Sequence, residues 1–277
     1  MSFTQSPSEN GENLTAQQAG AIYAHWTAAL YDKEETQTED FEMALTLLGE
    51  KPLRILEPCC GSGRILVPLA KAGHCAVGFD RDLEMLRRIP AKAPEQLDIH
   101  SYQADLFAHS WPEGFDAVVL AGNILINIEI ADGFPGGYKA AQQELINRAA
   151  GALKTGGHLY LDFNHFEYPE RFFDDPKERI IFEGTDDQGV TGHMSISNGH
   201  FDAAARMAYN DRFAKLTLPD GRQLHGQAKS AKHIPTLAQM QGWLLDAGFV
   251  PLALYGDYDR RPISEKTMRA LIFAQKQ

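Results

Sequence analysis

Glu57-Pro58-Cys59-Cys60-Gly61-Ser62-Gly63 closes one short apolar run, and Asp80 closes the next, 17 residues after Gly63. A glycine pair at such a junction lets the backbone turn tightly towards a ligand, and a helix starting there presents unpaired N–H groups. A carboxylate at the end of the following strand can accept hydrogen bonds from both hydroxyls of a ribose, so the expected ligand is a nucleoside. Asp105, after a third run, can accept from an exocyclic adenine amino group. Ala121, Gly122 and Asn123, after a fourth, open the crevice at the carboxyl ends of the strands, where ligands sit in this architecture. A dinucleotide fingerprint carries a third glycine three residues beyond the second; Leu66 stands there instead, which argues against NAD.

These residues converge only if the runs that carry them are neighbouring strands. The strand candidates are "LRILE", "CAVGFD", "DIHSYQ", "FDAVVLA" and "GHLYLDF", separated by helical patterns or loops. Runs apolar on both faces belong to a parallel sheet covered by helices, which makes the expected core a doubly wound α/β domain. Tyr138, Ala141, Leu145, Ala149 and Leu153 define one face of the clearest crossover helix. Before the core, residues 15–48 read as helical, with Ile22, Trp26 and Leu30 at helical spacing.

After Phe163 the texture changes. Residues 164–235 alternate and are rich in turns, with "DDQG" and "PDGR" as turn signals, and they are expected to form an antiparallel insertion that caps the acceptor side. Residues 236–277 return to the core pattern: Thr236 caps a helix, Gly248 ends it, and two last strands follow. The expected division is therefore a disordered polar leader over 1–14, cover helices and cofactor-binding core over 15–163, the insertion, and the closing elements.

The order Glu57-x-x-x-Gly61-x-Gly63, Asp80, Ala104-Asp105, then Asp116 opening a fourth strand resembles the class I S-adenosylmethionine-dependent methyltransferases of small-molecule type. The resemblance spans residues 50–163 and the closing helix and strands. It implies a Rossmann-like seven-stranded sheet whose last strand is antiparallel, with S-adenosylmethionine as cofactor and S-adenosylhomocysteine as product. By position it assigns Gly61 and Gly63 to the methionine moiety and Asp80 to the ribose, and it adds Arg81 and Met85 as further cofactor-binding residues. Asp105 and Leu106 fall to the adenine, Ala121 and Gly122 to the cofactor crevice, and Asn123 to the methyl-transfer face. Glu57 has two readings, contact to the cofactor's ammonium group or a brace for the loop. Tyr31, in "ALYDKEE", resembles a tyrosine on the family's N-terminal cover helix; plain packing is the other reading.

The implied activity is methyl transfer to a nitrogen or oxygen of a small metabolite. Asn164, His165 and Tyr168 follow the fifth strand at the carboxyl edge, where an acceptor is expected, and His165 is the best-placed candidate for a contact or base. His233, with the other histidines of the insertion, is a further candidate acceptor contact. Family members that methylate exocyclic base nitrogens carry two prolines and an aromatic after the fourth strand, where this chain reads "AGNILINI". That departure and a formal net charge of -11 argue for a small-molecule acceptor and against nucleic acid. A rival reading is a catalytically silent relative that keeps the fold as a binding subunit; a nicotinamide oxidoreductase is a second.

Composition narrows the rest. Asp116 reads as structural. Cys59, Cys60 and Cys75 sit in apolar runs, an odd number that suits a reducing cytoplasm better than a disulfide framework, and their spacing suits no metal. The first residues lack a signal-peptide pattern, and the most apolar window is broken by Asp116, Asn123, Asn127 and Glu129, so no membrane partner is expected. Strands of the insertion that pair across a two-fold axis would give a homodimer.

Overall fold

The computed structural model describes residues 1–5, 14–94, 96–131 and 133–277. In chain order the elements begin with β1 (Ser2–Gln5), α1 (Ala16–Glu34), α2 (Glu39–Leu48), β2 (Arg54–Pro58), α3 (Leu66–Lys71) and β3 (Cys75–Asp80). They continue through α4 (Leu83–Leu86), α5 (Ile89–Lys92), β4 (Ile99–Gln103), β5 (Phe115–Leu120), α6 (Ile124–Asn127), α7 (Gly137–Ala152) and β6 (Leu153–Asn164). The rest are α8 (Glu170–Phe173), β7 (Arg179–Thr185), β8 (Thr191–Asp202), β9 (Met207–Thr217), β10 (Gln223–His233), α9 (Leu237–Asp246), β11 (Phe249–Tyr255) and β12 (Arg269–Lys276).

The chain divides into two compact units. One comprises Gln37–Glu167 with His233–Gln277, the other Met1–Thr36 with Tyr168–Lys232. The first holds a seven-stranded sheet in the order β11-β12-β6-β5-β2-β3-β4. Strands β2 to β6 pair in parallel, whereas β12 runs antiparallel to both β6 and β11. The antiparallel last strand implied by the resemblance is thus present. The parallel strands are apolar on both faces because helices cover both, so Ile55, Leu56, Ala117, Val118, Val119 and Leu120 are all fully buried. Helix α7 buries Ala141, Leu145 and Ala149, as its spacing predicts. Thr236 caps α9 through a reciprocal box with Gln239.

Order β4-β3-β2-β5-β6 reverses direction between β2 and β5, and the crevice of such a sheet opens at the carboxyl ends of those strands. That edge carries Glu57, Asp80, Asn123 and Asn164.

The second unit is a five-stranded antiparallel sheet, β1-β10-β9-β8-β7. The expected turns are both present, "DDQG" between β7 and β8 and "PDGR" between β9 and β10, with Gly189 and Gly221 in the left-handed region. Two boundaries differ from expectation. Helix α1 belongs to this unit and not to the parallel core: Ala19, Trp26, Ala29 and Leu30 pack on Val190, Met194, Leu216, Leu218 and Leu224. The Trp26 indole N–H donates to the Gly184 carbonyl at 3.2 Å, which fixes the helix to β7. Ser2–Gln5, expected within a disordered leader, pair with Leu224–Gln227 of β10, because Phe3 docks against Tyr23 and completes that apolar layer. Residues 6–13 of the expected leader lie outside the described residues.

Candidate cofactor cleft

The loop after β2 is unusual in its backbone. Cys59, Gly61 and Gly63 have φ of 56°, 52° and 79°, three left-handed residues in five. A non-glycine residue rarely adopts that region, and such strain gathers at ligand sites. A Cβ on Gly61 would meet nothing within 4 Å, so the loop leaves open space on that side; one on Gly63 would come within 3.0 Å of Ile89 and 3.1 Å of Val67. The close helix-to-strand approach that a third loop glycine would allow is provided by Gly78 on β3. A Cβ there would lie 2.8 Å from both the Cys60 sulfur and Leu66.

Glu57 ends β2 almost wholly buried, and its Oε2 has no hydrogen-bond partner among the described residues. Burial pushes its carboxyl well above the ordinary range, Arg64 pulls the other way, and Asp40 and Asp80 add repulsion. Arg64 is itself committed to Asp40 through two hydrogen bonds of 2.9 and 2.5 Å, and to the Gln37 carbonyl at 2.8 Å. A buried carboxylate whose neighbouring cation is already engaged is the chemical complement of an incoming ammonium group.

Asp80 closes β3 with both oxygens in use. Oδ2 accepts the Gly61 N–H at 2.9 Å and Oδ1 the Asp82 N–H at 2.8 Å. Burial pushes its carboxyl up, against the downward pull of those two N–H groups. Each carboxylate oxygen retains a second lone pair for a hydroxyl donor. Asp105 caps its own turn, Oδ1 accepting from Phe107 at 2.9 Å and Ala108 at 2.8 Å, and these bonds hold its carboxyl below the usual range.

Asp80, Arg81, Asp105 and Leu106 meet in one cleft of about 160 Å³. Cys59 and Ala104 join them, and α6 with its exit supplies Ile124, Asn127, Ile128 and Glu129, which sequence reasoning missed. The missed wall is short and follows no spacing rule. Arg81 and Glu129, both exposed, form an ion pair at this cleft. Arg148 of α7 also escaped notice. Its guanidinium donates to the carbonyls of Leu106, Phe107 and His109 at 2.7–3.0 Å and so fixes the Asp105 loop. The Cys59 and Cys60 thiols are pushed far up by burial and stay protonated, consistent with a packing role.

The remaining candidates separate. Met85 is half-buried on α4 and does not line the cleft. Ala121 packs on the core, and Gly122, with φ of 64°, leaves room for Arg64, whose Nη2 would lie 3.4 Å from a Cβ. Asn123 is left-handed too, and its Oδ1 accepts the Asn164 N–H at 2.5 Å, tying the ends of β5 and β6. Asn164 lines a second cleft. His165 is buried, its Nε2 3.6 Å from the Glu167 carboxylate. His233 is a core residue: Nδ1 lies 2.7 Å from the Gln142 Oε1, and its carbonyl accepts from the same amide at 3.0 Å. Its expected place at an acceptor pocket gives way to this reciprocal buried pair, which satisfies α7's only buried amide side chain. Tyr31 and Tyr168 fall in the antiparallel unit, where Tyr31 is half-buried on α1 and Tyr168 lies under the Arg171 guanidinium at 4.2 Å. Asp116 braces the opposite edge through the Arg54 N–H and Lys154.

Residues 55–157 match the family described as methyltransferase domain. A protein of Geobacillus sp. (strain WCH70) named as a methyltransferase is 25% identical over 226 residues, covering 80% of this chain and 84% of its own. An S-adenosylmethionine-dependent methyltransferase from Clostridium acetobutylicum ATCC 824 superposes with a TM-score of 0.69 at 14% identity, over 93% of this chain and 98% of the other. The sugar N-methyltransferase KedS8 from Streptoalloteichus sp. ATCC 53650 does so at 0.64 and 16%, over 98% of both. Residues 55–157 thus match a methyltransferase-domain family, and the chain shares the fold of S-adenosylmethionine-dependent methyltransferases. The matched domain holds the glycine loop, Asp80, Asp105 and Asn123.

Proposed function

We propose that the chain transfers the methyl group of S-adenosylmethionine to a nitrogen or oxygen of a small metabolite, with the cofactor lying along the cleft between β3, β4 and α6. The single observation that carries this reading is the joining of Asp80 and Asp105 in one cleft, with an open glycine loop preceded by Glu57, whose Oε2 has no hydrogen-bond partner among the described residues. In it, Glu57 faces the cofactor's ammonium group, Asp80 receives the ribose hydroxyls, and Asp105 with Leu106 holds the adenine. When bound, the cofactor supplies a methyl group already activated on a sulfonium. The protein's task is then to hold the acceptor in line at near-attack distance and exclude water. A neutral amine needs no base, whereas a hydroxyl gains from a proton acceptor within reach, and buried His165 with Glu167 is the candidate. The sugar N-methyltransferase likeness favours a small acceptor, and among the described residues no helix is long and apolar enough to cross a membrane.

The test is amide mapping by NMR. Adding S-adenosylhomocysteine is expected to shift signals of residues 59–63, 80–82, 104–108 and 124–129. Shifts confined to other segments would overturn the placement.

A further inference from the structure

The connection from β11 to β12 and the end of β6 enclose a second cleft of about 640 Å³, within the range of small-ligand pockets. Its lining includes Asn164, Asp257, Tyr258, Arg261, Lys266 and Arg269. We propose that this cleft receives the methyl acceptor and selects one bearing an oxyanion, a phosphate or a carboxylate; its use for an acceptor rests on the methyltransferase reading above.

Donors at this cleft outnumber the acceptors left to them, which favours an oxyanion. Asp257, the one carboxylate in the lining, and Asp162 and Asp259 next to it are already engaged by side chains of the cleft. Asp162, fully buried in β6, accepts from the Tyr258 hydroxyl at 2.6 Å and from Arg269 at 2.5 Å. Asp257 accepts the Arg261 N–H at 3.1 Å and pairs with its guanidinium at 2.6 Å, and Asp259 takes the other side of that guanidinium at 2.6 Å. The donors are not engaged to the same degree. Lys266 is exposed, and its ammonium has no partner among the described residues. Arg269 gives one N–H to Asp162 and none of its others to a described residue. Asp162 below and the Tyr258 ring, 4.9 Å from the guanidinium carbon, hold Arg269 in a fixed orientation at the cleft surface. A preorganised guanidinium beside a free ammonium matches a planar or tetrahedral oxyanion. Of the three cations in this lining, Arg261 is paired with Asp257 and Asp259 and Arg269 with Asp162, which leaves the Lys266 ammonium and the remaining Arg269 N–H groups for a ligand.

The cleft's position suits an acceptor. Asn164 lines this cleft, and its N–H is held by Asn123; the next residue, Ile124, lines the cofactor cleft. The two clefts therefore flank the bridged carboxyl ends of β5 and β6. The His165 N–H donates to the Met268 carbonyl at 3.0 Å, tying the strand end to the wall of the second cleft.

The test titrates the wild type and Lys266→Gln with inorganic phosphate, succinate and glucose, each with S-adenosylhomocysteine present, and reads the amide signals of residues 256–269. Phosphate or succinate is expected to shift those signals, with an affinity about tenfold weaker in the variant. A response to phosphate alone assigns a phosphorylated acceptor, and one to succinate alone a carboxylate. An unchanged melting temperature shows that the variant is folded. No shift with either anion, equal affinity in both proteins, or shifts with glucose only would overturn the proposal. If S-adenosylhomocysteine fails to bind while the anions still titrate into this segment, the anion site stands and the methyltransferase reading falls.

Discussion

The Asp80 carboxylate accepts the Gly61 N–H at 2.9 Å, so the side chain expected to hold the ribose also sets the glycine loop. Its other oxygen holds the Asp82 N–H at the start of the next turn. One residue thus ties the glycine loop to the turn after β3, which in the proposed site lowers the ordering cost of binding.

Asp80→Asn keeps the shape but offers one acceptor oxygen where two N–H groups need one each. The variant is expected to lose about 1–2 kcal/mol of stability and to bind S-adenosylhomocysteine at least about tenfold more weakly. Thermal melts and calorimetry check the two effects separately.

Glu57 carries a pH dependence. Burial raises its folded-state pKa, so the free folded protein holds this proton over a range where the unfolded chain has released it, and its contribution to stability falls as pH rises through that window. An ammonium ligand favours the carboxylate, so cofactor binding releases a proton and weakens as pH falls below the raised value. Glu57→Gln is expected to raise the melting temperature at neutral pH, weaken cofactor binding by about tenfold, and abolish that proton release. Calorimetry in two buffers of different ionisation enthalpy measures the release.

Arg148 acts through the loop it holds. Arg148→Met removes donors from three carbonyls, so residues 105–109 are expected to exchange amide protons faster and cofactor affinity to fall about three- to tenfold. Exchange in β2 and β3 should not change.

Gly78→Ala puts a methyl group 2.8 Å from the Cys60 sulfur and Leu66. The expected cost is about 1–3 kcal/mol, read as a lower denaturant midpoint, together with weaker cofactor binding because the loop is displaced.

The parallel core was legible because strands buried on both faces leave short apolar runs that nothing else explains; "CAVGFD" and "RALIFAQK" match β3 and β12 residue for residue. Asp80 was legible for the same reason, since it closes such a run; Asp105 lies two residues beyond the half-exposed edge strand β4 and was placed by the resemblance. Helix α1 was not assignable to a unit, because Trp26 and Leu30 state that a face is buried without stating against what. Strand β1 is four residues long, and its pairing with β10 joins positions more than 200 apart. Gly78 reads as an ordinary residue of an apolar run; its role exists only where α3 crosses it. Arg148 lies one helical turn after Glu144 and pairs with it, and nothing in the local pattern shows that its three carbonyl partners come from a distant loop. His233 was misplaced because its partner, Gln142, lies 91 residues away.

The most direct test of the cofactor reading is calorimetric titration of the purified protein with S-adenosylmethionine, S-adenosylhomocysteine and NAD in parallel. Saturable one-site binding of the first two, without NAD, is the expected result. Binding of NAD alone, or of none of the three, would contradict it.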